Sequence, residues 1–185
     1  MAVSSNAFPI FFKHLESRLN TRILDIGPVC GDNITLLARK VRQLYICDIF
    51  ARIPKPVNPA PPSGRIWRHL DYEPDTFDGI LIWNLLDRLD SDVVSNAGNH
   101  CRRILKPGGL VVAYALGEKE LNAAVHAFVL SDSRKVSLRS QPHLDLALHT
   151  RTTRRLVEIL APLKLEQSSL FRNGLRELLF KKDVA

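Results

Sequence analysis

The stretch from Arg22 to Asp48 constrains the fold of this chain more than any other. Arg22 to Ile26 is a short apolar run, Gly27 to Asp32 is a loop, and Asn33 to Lys40 has helical spacing through Ile34, Leu37 and Ala38. A second apolar run, Leu44 to Ile46, ends in Cys47-Asp48. Strand, glycine turn, helix and strand in such close succession imply parallel strands joined by a right-handed crossover. A parallel sheet of this kind binds ligands at the carboxyl ends of its strands, near the point where strand order reverses.

The remaining segments extend the alternation. Ser5 or Asn6 can cap a helix over Phe8 to Leu19, with Pro9 in its first turn and Phe8, Phe11, Phe12, Leu15 and Leu19 on one face. Ile53 to Gly64 contains Pro54, Pro56, Pro59, Pro61 and Pro62, which predicts an extended surface loop. Arg65 to His69 and Gly79 to Trp83 are the third and fourth strand candidates, and Asp92 to Leu105 reads as a helix. Lys106-Pro107-Gly108-Gly109 stops that helix, and Leu110 to Ala115 follows as an uncharged, buried strand. Glu118 to Leu130 has helical spacing, Ser131 to Leu148 is polar and irregular, and Thr153 can cap a helix through Leu156, Val157, Ile159 and Leu160. Leu163 to Leu170 and Leu175 to Phe180 alternate around Asn173-Gly174 and must pair antiparallel.

Composition narrows the classes. A chain of 185 residues with 45% hydrophobic content suits one domain with a sizeable core. No apolar run approaches the ~20 residues of a membrane-spanning helix. The amino terminus lacks the pattern of a secretory signal, so the expected compartment is cytoplasmic and no membrane partner is expected. Cys30, Cys47 and Cys101 are too far apart for a disulfide framework or paired zinc ligands, so no metal site is expected.

Two features point to a nucleoside ligand. The glycines of Gly27 to Gly31 stand where the backbone must turn sharply before a helix N-terminus, although such a turn is also compatible with no ligand at all. Asp48, at the end of the second strand, can accept hydrogen bonds from both ribose hydroxyls, or can cap the turn that follows it.

The order Leu24-Asp25-Ile26-Gly27 through Gly31, then Asp48, resembles the first motif and the ribose-binding acid of class I S-adenosylmethionine-dependent methyltransferases of the small type-11/12-like kind. Phe77-Asp78-Gly79-Ile80-Leu81-Ile82-Trp83-Asn84-Leu85-Leu86 resembles that family's fourth strand and the segment after it, and Arg103 to Leu110 resembles the turn before its fifth strand. The terminal hairpin matches its sixth and seventh strands, so the resemblance spans nearly the whole chain. It implies a Rossmann-like, doubly wound, seven-stranded α/β sheet, mostly parallel with a C-terminal antiparallel hairpin, and S-adenosyl-L-methionine as cofactor. By the same resemblance Asp25 and Ile26 belong to the cofactor site, the loop Gly27 to Gly31, with Gly27, Pro28 and Gly31, faces the methionine portion, Asp48 and Ile49 the ribose, and Leu70 and Asp71 the adenine. Trp83 and Asn84 border cofactor and substrate. One departure is Val29, which stands where the family has its middle glycine.

Direct methyl transfer requires alignment more than catalytic groups, so no catalytic residue is assigned. His126, His143 and His149 are base candidates that also suit surface or packing positions. The segment 117–150 is expected to form a substrate lid. Of the net charge of +7, most lies in Arg134 to Ala185, which carries 11 Lys+Arg against 5 Asp+Glu. Arg134, Lys135, Arg139, Arg151, Arg154 and Arg155 lie in or just after that lid, and they point to an acidic small-molecule acceptor, with nucleic acid as the other possible partner. A nucleic-acid or protein methyltransferase, a non-catalytic module on the same fold and an NAD-dependent enzyme remain alternatives. The last is disfavoured by the missing third glycine of a dinucleotide motif.

Overall fold

The computed structural model describes residues 2–50, 63–116, 124–131, 134–144 and 146–184. Strand β1 (Ala2–Ser4) and helix α1 (Ala7–Glu16) precede β2 (Arg22–Ile26), α2 (Gly31–Ala38) and β3 (Gln43–Cys47). A 3-10 helix (Ser63–Leu70) leads to β4 (Phe77–Trp83), a 3-10 turn (Leu85–Asp87), α3 (Ser91–Val94), α4 (Ala97–Ile104) and β5 (Leu105–Ala115). Then come β6 (His126–Leu130), β7 (Lys135–Ser140), α5 (Thr153–Leu160), β8 (Lys164–Leu170) and β9 (Arg176–Lys181).

Among the described residues the large sheet has six strands in the order β3-β2-β4-β5-β9-β8. The first four are parallel, and β9 and β8 close the sheet as an antiparallel pair. The parallel core and terminal hairpin agree with the sequence reading, whereas the expected seven strands do not. Arg65 to His69, the expected third strand, lies inside the 3-10 helix. Trp67 and Leu70 are buried there while Arg68 and His69 are exposed, a spacing of three that suits three residues per turn rather than strand alternation. Residues 53–62 of the proline-rich segment lie outside the described residues.

Alternation along the strands separates two cores. Ile23, Leu81, Trp83, Val112 and Tyr114 face α1 and α2, while Leu24, Ile26, Ile80, Ile82, Val111 and Ala113 face α3, α4 and α5. The expected helix over Asp92 to Leu105 is two short pieces, α3 and α4, ending before Lys106 as foreseen. Thr152 rather than Thr153 caps α5, its hydroxyl accepting from Arg155 N at 3.2 Å.

The segment after β5 departs most from expectation. A helix over Glu118 to Leu130 and irregular chain to Leu148 were expected; residues 117–123 lie outside the described residues, and His126–Leu130 and Lys135–Ser140 form an antiparallel hairpin. This hairpin joins β1 in a second sheet of order β1-β7-β6. Phe128 and Leu130 of β6 are buried against the α1 side of the large sheet, so tertiary packing outweighs the local helical spacing.

A single carboxylate fastens the amino terminus to the sheet. Glu177 of β9 is buried and accepts from Ser5 Oγ, from the backbone amides of Asn6 and Ala7 at 2.8 and 2.9 Å, and from Tyr114 Oη. It thereby places a negative group at the positive end of α1, where Ser5 Oγ also accepts from Phe8 N at 2.9 Å.

Candidate functional site

Strand order reverses between β2 and β4, so the crevice expected of such a sheet lies beyond Ile26 and Ile82, which are paired at its edge. Gly27 continues the β2–β3 pairing, its amide donating to Cys47 O at 3.2 Å, and Pro28 is buried behind it. Val29 is 54% exposed, so the residue standing in for the resembled glycine directs most of its surface to solvent. Gly31 opens α2 with free space around the position of a side chain. Asp48 follows β3 immediately and is half-buried, which brings a carboxylate beside the Gly27–Gly31 turn at the carboxyl edge of neighbouring strands.

The remaining expected residues divide. Ile26, Ile49 and Leu70 are all buried in the α3–α5 core, at most 1% exposed, where they form apolar backing rather than open surface. Asp71 lies in the turn after the 3-10 helix. Its side chain is exposed and pairs with Arg103 Nη2 at 2.7 Å, while Arg103 Nη1 donates to Tyr72 O at 2.7 Å. The carboxylate ties the turn before β4 to α4.

Asp25 and Trp83 meet directly. Trp83 Nε1 donates to Asp25 Oδ1, and both side chains are buried. Burial pushes the Asp25 carboxyl up to about 6, although the indole bond opposes this. A Cβ placed on Gly27 would stand 2.8 Å from Trp83 Cβ, so the lack of a side chain at Gly27 accommodates the tryptophan. The indole also stacks on Tyr114 and Phe128, with ring centroids 5.4 and 5.6 Å away.

A second polar group lies just beyond, and the sequence reading passed over most of it. Asn84, at the end of β4, has a left-handed backbone with φ of 56° and a buried side-chain amide with no hydrogen-bond partner among the described residues. Asp87 is fully buried; its Oδ2 accepts from Leu116 N at 2.7 Å and its Oδ1 has no hydrogen-bond partner among the described residues. Burial pushes its carboxyl up to about 6 against the Leu116 amide and the charges of Arg176, Arg151 and Arg88. Arg88 donates to Leu146 O and Ala124 O, Arg151 to Leu86 O and Leu89 O, and Arg176 to Leu116 O. These arginines clasp the chain before and after the β6–β7 hairpin. The sequence signal was Asp87-Arg88 inside the apolar run Leu85 to Leu89, since a charged pair in such a run is buried only with partners.

The other basic candidates are mostly engaged. Arg139 pairs with Asp32 at 2.7 Å, and Arg154 and Arg155 both pair with Glu158 on α5. His149 lies 3.1 Å from Asp90, His143 is exposed, and burial lowers the pKa of His126. Among the described residues no cluster of His, Cys, Asp or Glu suits a metal ion, and no helix is long and apolar enough to cross a membrane.

No family model matches the sequence, and no curated protein matches it. Solved structures do resemble it. The 1,6-didemethyltoxoflavin-N1-methyltransferase of Burkholderia thailandensis, crystallised with 1,6-didemethyltoxoflavin and S-adenosylhomocysteine, is 16% identical and superimposes with a TM-score of 0.59, covering 96% of this chain and 76% of its own. An S-adenosylmethionine-dependent methyltransferase from Mesorhizobium loti is 14% identical with a TM-score of 0.58, covering 96% of this chain and 98% of its own. One from Methanosarcina mazei is 16% identical with a TM-score of 0.57 over the same shares. At these identities the likeness shows the architecture: the chain has the α/β fold of the S-adenosylmethionine-dependent methyltransferases, with a mixed sheet.

Proposed function

We propose that this protein is an S-adenosylmethionine-dependent methyltransferase acting on a small-molecule acceptor. The observation that carries the reading is Asp48, half-buried at the end of β3 beside the Gly27–Gly31 turn, at the carboxyl edge of the strand next to β2, which borders the reversal point of the sheet. Asp48 suits the ribose hydroxyls, the Gly27–Gly31 backbone passes alongside, and Ile49 with Leu70 backs the adenine side. Asp25, already bonded to Trp83, does not suit the amino-acid end of the cofactor in this arrangement.

S-adenosylmethionine supplies a methyl group on a positively charged sulfur, which needs no covalent enzyme intermediate. The chain's own residues then act by holding the acceptor and excluding water. Asn84 is the residue placed for holding, because its unpartnered amide offers both a donor and an acceptor at the carboxyl end of β4. The ion pairs of Arg139, Arg154 and Arg155 and the carbonyl bonds of Arg151 weaken the case for an acidic acceptor or a nucleic acid. A polar, uncharged acceptor suits Asn84 better.

Calorimetric titration with S-adenosylhomocysteine and with NAD tests this reading. Micromolar binding of the first, weakened by about 1–3 kcal/mol in Asp48→Ala, is the expected result. Binding of NAD alone, or of neither compound, overturns it. A second reading, a module that keeps the fold without transferring methyl groups, is favoured by the Trp83–Asp25 bond, and binding without turnover on any acceptor would support it.

A further inference from the structure

The crevice at a strand-order reversal is a ligand site because two neighbouring chains diverge there and leave space above the strand ends. In this protein a side chain of the protein itself fills the part beside Gly27. The Trp83 indole is 2% exposed and lies within 2.8 Å of where a Gly27 Cβ would be. Phe8, Tyr114 and Phe128 hold the ring from α1, β5 and β6, with centroids 5.9, 5.4 and 5.6 Å away. Phe128 is itself fixed through Asn33 of α2, whose amide nitrogen donates to Phe128 O at 2.7 Å and whose oxygen accepts from Leu130 N at 2.8 Å. The second sheet, α2 and α1 therefore all support one orientation of the indole.

The indole N–H then meets Asp25, a buried carboxylate at the end of β2. A carboxylate there is the natural partner for a ligand's ammonium group, and a neutral N–H donor has taken that position. We propose that Trp83 is a specificity-determining residue: it stands in for the ammonium end of an S-adenosyl compound, so the site binds the adenosine and leaves the amino-acid tail unread. The inference rests on the nucleoside reading of Asp48 given above. It assigns Gly27 a second role, since any side chain there would displace the indole.

Two probes separate the parts of the ligand. S-adenosylhomocysteine and 5′-methylthioadenosine share the adenosine and the sulfur and differ in the amino-acid tail. Titrated into the full chain, they are expected to bind with dissociation constants within about threefold of each other, a difference well under 1.4 kcal/mol. In Trp83→Phe, which keeps a ring and removes the donor, S-adenosylhomocysteine tightens by about tenfold or more and 5′-methylthioadenosine stays within about threefold. Asp25→Asn, which keeps an acceptor for the indole and removes the charge, leaves the ratio of the two affinities unchanged.

The opposite pattern overturns the proposal: wild-type protein that prefers S-adenosylhomocysteine by more than about tenfold and loses the preference in Asp25→Asn has a tail-reading carboxylate. A folded Trp83→Phe variant with an unaltered ratio overturns it as well. Failure of both probes to bind wild-type protein and variants alike instead removes the nucleoside reading of Asp48, and the proposal with it.

Discussion

Asp25 joins the candidate site to the stability of the fold. Its carboxyl is raised from 3.8 to about 6, because burial penalises the ionised form more than the indole bond favours it. The folded chain therefore holds this proton more tightly than the unfolded chain. The group's contribution is most favourable below pH 3.8, falls as pH rises, and is fully lost above about 6. At pH 7.5 the ionised Asp25 costs up to about 3 kcal/mol, because each tenfold difference in proton affinity between the folded and unfolded chain is worth about 1.36 kcal/mol. Asp25→Asn should accordingly be more stable than wild type at pH 7.5 by about 1–3 kcal/mol and should show no gain at pH 3.5. Urea unfolding at both values checks this, and a variant less stable at pH 7.5 contradicts the burial argument. The acid itself was legible in Leu24-Asp25-Ile26-Gly27; its partner was not, because Asp25 and Trp83 are 58 positions apart and only the β2–β4 pairing brings them together.

At the scale of elements, two contacts bear disproportionate weight. Glu177 takes four donors from the start of α1 and from Tyr114, so Glu177→Ala leaves buried donors unpaired and should cost about 3–5 kcal/mol. Hydrogen exchange should then accelerate in α1 first, before the β2–β4–β5 core; uniform acceleration would mean that Glu177 does not hold α1 specifically. Helices α4 and α5 meet at Gly98, where an added Cβ would lie 2.4 Å from Ala161 O and 2.5 Å from Ile159 O. Backbone carbonyls cannot rotate away, so Gly98→Ala should cost about 3 kcal/mol in chemical denaturation. An unchanged midpoint would show that the helices separate freely. Helices α1 and α5 were readable from apolar spacing, because each buries one face, and the terminal hairpin from its two apolar runs around Asn173-Gly174. The 3-10 helix was misread because the five residues Arg65 to His69 are too few to distinguish one period from another, and β6 because packing against the large sheet outweighs the helical spacing of Glu118 to Leu130.

Across the whole molecule, the second sheet couples the amino terminus to the chain after β5. Ala2–Ser4 pairs with β7, β7 with β6, and Asn33 binds β6 from α2. These segments should open as one unit. Asn33→Ala removes two buried hydrogen bonds, about 1–3 kcal/mol each at the groups left unpaired, and should speed exchange together in β1, β6 and β7 while β2 and β4 keep their protection. Faster exchange in β6 alone would show that the second sheet is not cooperative. The sequence by itself determined the parallel core, the order of its strand, turn and helix units, the antiparallel ending and the placement of Asp25, Gly27 and Asp48 at one edge. Each of these follows from local periodicity, turn chemistry or chain connectivity, which a single segment carries within itself. Only the tertiary structure decided that Trp83 would lie against Gly27 and bind Asp25, that Asp71 would pair with Arg103, and that most of the basic candidates would be tied to carboxylates or carbonyls. Those outcomes depend on which distant side chains compete for the same partner, and that competition is settled by packing in three dimensions.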